Sequence, residues 1–221
     1  MKKTSVFLIL LLIGFTFQNC SSVKVLDSWK SDAVTSVKDN NFLVVARTEN
    51  NQARVAFENE IVKQMQEKGY NAVASFSKFG DLKPNAAKTE EGHKRLQAIL
   101  KSEGFDGVVL TVMKDYKEET RVQNDGGYYS GGDYSGYYPN YYGGFYGYYY
   151  NPMSYHSRGV YVPESTTTST SKLYVLETTV YNLKASGENQ LVAVVTSQLD
   201  NPTSATKIAA EYVKKITASL E

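Results

Sequence analysis

The feature that most constrains the fold is a run of five apolar residues, Phe-Leu-Val-Val-Ala, at positions 42–46. A strand with one wet face alternates apolar and polar residues, whereas a strand covered on both faces is apolar throughout. The run comes directly after the polar residues 39–41, Asp-Asn-Asn. We therefore expect a strand in a parallel or mixed sheet whose two faces are both covered.

Two units, each of a helix and a strand, follow this run. The first predicted helix ends at Gly69 and leads into a strand over residues 70–76, and the second runs from residue 89 to Gly104. Each helix carries an apolar stripe at helical spacing, formed by Phe57, Ile61 and Met65 in the first and by Leu96, Ile99 and Leu100 in the second. The strongest predicted strand begins at residue 107 and continues toward residue 122.

The end of the chain predicts a hairpin and a last helix. Residues 169–183 and 190–199 form the two antiparallel strands, and residues 205–220 carry a clean helical stripe. Upstream, Val23, Val25 and Trp29 alternate as in a short strand. The order βαβα-β-insert-ββα predicts an α/β (α+β) fold with a mixed sheet of about five strands and about three packed helices. We assign one domain to residues 41–221.

A tyrosine-rich and glycine-rich insert interrupts this domain at about residues 123–165. Of the 18 tyrosines in the chain, thirteen lie between Tyr128 and Tyr161. The insert has few aliphatic residues, so it cannot bury a core of its own, and a mobile loop is one interpretation. Tyrosine rings can also stack on sugars or form an adaptable protein-contact surface. The candidate contact residues are Tyr137, Tyr138, Tyr141, Tyr142, Tyr146, Tyr148, Tyr149 and Tyr150.

The N-terminus has the pattern of an export signal. Lys2 and Lys3 precede an apolar segment over residues 6–17, and Cys20 follows it. As a helix this segment would extend only about 18 Å, against a hydrocarbon core of about 30 Å. We expect residues 1–19 to be a cleaved signal peptide and residues 20–40 to form a tether with a short strand. Cys20 is the only cysteine in the chain, so no internal disulfide can form.

This N-terminal stretch resembles the signal peptide of bacterial lipoproteins. The resemblance covers about 22 residues, with Phe17, Gln18 and Asn19 in the positions before the cysteine. It implies that Cys20 carries lipid, and since Ser21 and Ser22 differ from the acidic residue that retains lipoproteins in the inner membrane, it implies an outer-membrane location facing the periplasm. The remainder resembles small periplasmic lipoprotein domains of undefined activity and, in element order alone, the N-terminal domain of the Tol-system translocation protein.

The sequence shows no recognisable catalytic or cofactor-binding motif. Neither G-x-S-x-G nor a P-loop is found, and the two histidines, His93 and His156, lie in unrelated contexts without the spacing of metal ligands. The net charge of +1 comes from scattered basic residues and gives no indication of nucleic-acid binding. We expect no cofactor, no metal and no nucleic-acid partner.

These observations predict a lipid-anchored binding or scaffold module of the cell envelope rather than an enzyme. Its partners would be the membrane, through the anchor, and an envelope protein or glycan, through the tyrosine-rich insert. The alternative is a cell-envelope hydrolase whose carboxylates cannot be assembled from the sequence.

Overall fold

The structure is a computed structural model that describes residues 22–79, 90–122, 144–150 and 168–220. Within these ranges one mixed sheet contains six strands in the spatial order β1-β6-β5-β4-β2-β3. The strands are β1 (Val23–Lys30), β2 (Asn41–Arg47), β3 (Asn71–Ala74), β4 (Gly107–Val122), β5 (Thr168–Asn182) and β6 (Leu191–Asp200).

Five α-helices are found in the same ranges, together with short 3-10 helices at Asp32–Val37 and Gly187–Gln190. The helices are α1 (Asn51–Glu67), α2 (Ser75–Lys78), α3 (Glu90–Ser102), α4 (Phe145–Tyr150) and α5 (Ala205–Leu220). None of the described helices is long and apolar enough to cross a membrane.

The pairing of the strands confirms the predicted α/β class and the mixed sheet. Strand β2 pairs in parallel with both β3 and β4, while β4, β5, β6 and β1 pair antiparallel to one another in turn. The sheet has one strand more than the five expected, because the alternating segment around Val25 and Trp29 pairs with β6 as an edge strand.

Helices cover both faces of the sheet, as the apolar run at residues 42–46 predicted. On the first face, Phe42 and Val44 pack with side chains of α1 and α5. On the second face, Leu43 and Val45 pack with side chains of α3 and α4. The connections from β2 to β3 and from β3 to β4 run in opposite directions across the sheet, so right-handed crossovers place α1 and α3 on opposite faces.

Strand β3 is shorter than the segment 70–76 that the sequence predicts. The chain leaves the sheet at Ser75 and forms the single turn α2. The buried carboxylate of Glu58 accepts hydrogen bonds from the Ser75 hydroxyl at 2.8 Å and from the Phe76 amide at 2.8 Å. These two donors are thereby satisfied outside the sheet, and the strand ends where they turn toward α1.

The start of β4 provides a test of how closely the core is packed. A Cβ atom on Gly107 would lie 2.5 Å from the Phe42 ring, a core side chain that cannot move into solvent. We expect Gly107→Ala to lower the free energy of unfolding by about 1–3 kcal/mol through overpacking. Urea denaturation measures this change. The control is Gly147→Ala in α4, where a Cβ meets nothing within 4 Å; equal effects of the two substitutions would contradict the prediction.

Candidate functional site

The site that the topology favours lies at the end of the sheet where β2 finishes at Arg47. From β2 the chain crosses to β3 on one side and then returns to β4 on the other. In open α/β sheets, ligands bind at such a switch point, outside the carboxyl ends of the parallel strands. We call this end of the sheet the carboxyl edge. Its two faces carry different chemistry.

A buried lysine occupies the second face at the carboxyl edge. The pairing of β4 with β5 slips by one residue between Met113 and Asp115, which leaves Lys114 as the extra residue of a β-bulge. The Lys114 side chain is fully buried, and its ammonium lies 3.6 Å from Oε1 of Glu177, which is fully buried on β5.

Tyr148 of α4 completes this group, which we call the Lys114 cluster (Lys114, Tyr148 and Glu177). The Lys114 ammonium donates to the Tyr148 hydroxyl oxygen at 2.9 Å, and the Tyr148 hydroxyl donates to Glu177 Oε1. The ammonium also lies 4.9 Å from the centroid of the Tyr148 ring. Each polar group of the cluster therefore has a partner inside the protein.

The energetics of the Lys114 cluster are dominated by its removal from water. Burial lowers the pKa of Lys114 from its usual 10.5 to about 8, against the attraction and the hydrogen bond of Glu177, which raise it. A buried ion pair of this kind adds little net stability, because the cost of taking two charges out of water offsets much of their attraction. We interpret the cluster as the contact that holds α4 on the sheet.

Beside the Lys114 cluster, Arg47 and Tyr149 meet at the end of β2. Burial lowers the pKa of Arg47 and raises the pKa of Tyr149, and nearby charges partly oppose both shifts. The Arg47 Nε atom is buried and has no hydrogen-bond partner. Tyr149 is 4 % exposed and belongs to the core on the second face of the sheet.

A second buried ionic group ties α1 to the carboxyl edge. Arg54 Nε lies 3.1 Å from Glu58 Oε1, and Nη2 of the Arg54 guanidinium donates to the Ser75 hydroxyl oxygen at 2.9 Å. Glu58 also accepts from the Ala46 amide at 3.0 Å, at the end of β2. Because this carboxylate is enclosed and saturated with donors, it is placed to fix the turn rather than to react with a substrate.

The first face at the carboxyl edge is open. A cavity of about 270 Å³ lies between the first turns of α1 and α5. Phe57, Leu176, Leu199 and Ile208 form its apolar floor, and its rim includes Asn50, Met113, Tyr174, Pro202 and Ala205. We call this concave surface the carboxyl groove. Its lining suits an apolar or aromatic group far better than a charged one.

Of the predicted site residues, some lie in α4 and the others lie outside the described residues. Tyr146, Tyr148, Tyr149 and Tyr150 lie in α4, while Cys20, Tyr137, Tyr138, Tyr141 and Tyr142 lie outside the described residues. Tyr148 and Tyr149 are 3 % and 4 % exposed, so these two rings belong to the core and do not offer the contact surface expected of them. The reason is that the sheet supplies the apolar surface that the insert itself lacks.

Sequence reasoning missed the Lys114 cluster. Lys114 lies where the predicted strand, which continues toward residue 122, passes from apolar residues into polar alternation, and Glu177 lies inside a threonine-rich strand. Lys114 points to the same face as Val108, Leu110 and Val112, and the helix that covers it there, α4, lies in the insert that carries no core pattern of its own. In the part of the chain that the structure describes, no group of three or more His, Cys, Asp or Glu residues is placed to hold a metal ion.

Comparison with known proteins identifies no family. No protein-family model and no curated protein matches the chain. Among solved structures, the PelC dodecamer from Paraburkholderia phytofirmans matches with a TM-score of 0.43 and 9% identity, covering 90% of this chain and 96% of that chain. A variant of the same dodecamer matches with a TM-score of 0.41 and 9% identity, covering 89% and 94% of the two chains. Similarity at this level carries no conclusion about function.

The Lys114 cluster predicts a specific dependence of stability on pH. The unfolded chain keeps the Lys114 proton up to a pKa of 10.5, whereas the folded chain releases it at about 8. The unfolded state thus binds more protons between these values, and the free energy of unfolding rises with pH across that window. Between pH 7.5 and 9.5 we expect the wild-type protein to gain about 2 kcal/mol relative to Lys114→Met.

Urea denaturation at a series of pH values measures this difference. The matched control is Lys172→Met, which removes an exposed lysine from the neighbouring strand. A Lys114→Met profile parallel to the wild-type profile over this window would show that Lys114 is not the titrating group.

Proposed function

We propose that this chain is an outer-membrane lipoprotein, anchored through Cys20 and facing the periplasm, that binds or scaffolds a component of the cell envelope. In this proposal the domain is a non-catalytic support for the tyrosine-rich insert. The insert provides the contact with an envelope glycan or protein, through the tyrosines of residues 123–143, among them Tyr137, Tyr138, Tyr141 and Tyr142.

The observation that carries the proposal is the way α4 is held. Lys114 and Glu177 are buried on the second face of the sheet, and both form hydrogen bonds with Tyr148 of the insert. Phe145 adds a buried ring packed edge-on against Tyr181 at 5.7 Å, and its amide donates to Gln190. These contacts attach the insert to the sheet at a defined place, as a support for a contact segment requires.

The chemistry of the carboxyl edge also favours binding over catalysis. The charged groups of the Lys114 cluster and of the Arg54–Glu58 pair are buried and bonded to one another. A general acid or base must reach a substrate, and these groups are enclosed. The carboxyl groove, an accessible concave surface among the described residues at this edge, is largely apolar.

The anchor is tested by the intact mass and membrane fractionation of the protein expressed in a Gram-negative host. We expect the wild-type chain to lose residues 1–19 and to gain acyl chains at Cys20, and to fractionate with the outer membrane. Cys20→Ala should be unlipidated and fail to mature. A wild-type protein that keeps its first 19 residues, or that is released in soluble form, would contradict the anchor.

The role of the insert is tested with two replacements by a Gly-Ser linker. Replacing residues 123–143 leaves α4 in place, so we expect unchanged stability and loss of binding, measured on purified peptidoglycan sacculi and by cross-linking to outer-membrane proteins. Replacing residues 123–167 also removes α4 and uncovers the apolar side chains on the second face of the sheet, so the free energy of unfolding should fall by at least about 3 kcal/mol.

The two replacements separate the support from the contact. If the shorter replacement keeps full binding to both kinds of partner, the contact does not lie in residues 123–143. If the longer replacement is as stable as the wild-type protein, α4 is not the attachment that the structure shows.

A further inference from the structure

Three large hydrophobic residues of the described molecule are exposed. Met113 is 52 % exposed, Tyr116 is 41 % exposed and Val55 is 38 % exposed. Met113 lies on the rim of the carboxyl groove, whereas Val55 lines a separate cleft between α1 and α5 whose lining is mostly polar. Tyr116 packs at a tilt against the rim residue Tyr174, with ring centroids 4.9 Å apart. Met113 and Tyr116 therefore extend the apolar surface of the carboxyl groove.

The start of the domain lies at the same edge as this concavity. Val23 pairs with Leu199, and the Asp200 amide donates to the Ser22 carbonyl at 2.8 Å. Leu199 forms part of the floor of the carboxyl groove and Pro202 part of its rim. Glu211 of α5 fixes this start further, since it accepts from the Ser22 hydroxyl and from the Val23 amide, each at 3.2 Å.

The distance from this point to the anchor is short. Cys20 precedes Ser22 by two residues. A fully extended chain spans at most about 3.6 Å per residue, so Cys20 lies within about 7 Å of Ser22. A lipidated Cys20 therefore holds the carboxyl edge, and with it the carboxyl groove, against the surface of the membrane.

The β4–β5 ribbon determines which face of the domain turns toward that surface. Five residue pairs, from Glu118↔Lys172 to Val122↔Thr168, extend past Leu173, the residue that pairs with the end of β6. At about 3.4 Å per residue the ribbon projects roughly 17 Å beyond the sheet. This length exceeds the reach of the tether, so the domain has to tilt before Cys20 can reach the leaflet, and one side of the ribbon then turns toward the membrane.

The face of the ribbon that suits a membrane is the one that carries the groove. Tyr116 and Tyr174 are paired neighbours on this face, next to Met113. Tyrosine is enriched where membranes meet water, because its ring is apolar and its hydroxyl can remain polar. The Tyr116 hydroxyl donates to Glu118 at 2.8 Å, farther along the ribbon, so its polar end is already satisfied.

We propose that the carboxyl groove is a membrane-docking surface: Met113 and Tyr116 contact the phospholipid leaflet that holds the Cys20 anchor, and the groove receives an acyl chain of that leaflet. The inference rests on the lipid anchoring proposed above. It assigns the domain a fixed orientation, with the groove face of the ribbon against the bilayer and the loop between β5 and β6 pointing away from it.

The test places one fluorescent label on each edge of the lipidated protein. Since Cys20 is acylated, Met113→Cys provides a single free thiol in the groove. Ser186→Cys provides one at an exposed position beyond β5, at the opposite end of the sheet. Each variant is labelled with bimane and reconstituted into phosphatidylethanolamine–phosphatidylglycerol vesicles, with and without brominated acyl chains. Tyr116→Cys is a second groove position should Met113→Cys fold poorly.

We expect brominated lipid to quench the groove label severalfold more strongly than the label at position 186, and aqueous iodide to show the reverse order. Equal access of iodide to both labels on anchored protein would overturn the docking surface. So would protection of the groove label that grows with protein density and is insensitive to brominated lipid, because a second copy or another protein would then occupy the groove.

Intact mass and flotation of the same samples separate the two proposals. Acylated protein that floats with vesicles while its groove label remains open to iodide overturns the docking surface and leaves the anchor intact. Protein that carries no acyl chain and does not float overturns the anchor together with the orientation that depends on it.

Discussion

A sheet whose central strands are apolar on both faces must be covered on both, and this requirement organises the rest of the molecule. Helices α1 and α5 cover the first face with aliphatic and aromatic side chains. On the second face, α3 contributes the buried residues Leu96 and Leu100, and α4 adds three aromatic side chains from the insert. A low-complexity segment with no core of its own thereby completes the core of its host domain.

The Lys114 cluster explains why α4 docks in one position. Apolar contact alone is non-directional, but a buried ammonium requires an acceptor and a buried carboxylate requires a donor, each at a fixed place. The Tyr148 hydroxyl meets both requirements. The arrangement also fills the second face of the switch point with the protein's own side chains. On the first face, the described residues leave the apolar carboxyl groove accessible.

Sequence periodicity was sufficient for the main strands, for helices α1, α3 and α5 and for their order, because apolar runs and helical stripes reflect burial directly. It was sufficient for the parallel unit around residues 42–46 and for the hairpin of β5 and β6. It was insufficient wherever a single polar contact decides the path, as where Glu58 ends β3 or where Tyr148 bonds to Lys114 and Glu177. Such contacts join residues far apart in sequence, and the local sequence around each partner is like that around an ordinary surface residue.

The tyrosines show why composition alone does not define a contact surface. A buried phenol needs a partner for its hydroxyl, and Tyr148 has Glu177 and Lys114, so its ring can enter the core. Tyr116 has Glu118 beside it on an exposed strand and keeps its ring at the surface. The same side chain thus lies in the core in one place and at the surface in another, and its surroundings in the fold, which composition does not reveal, differ between the two.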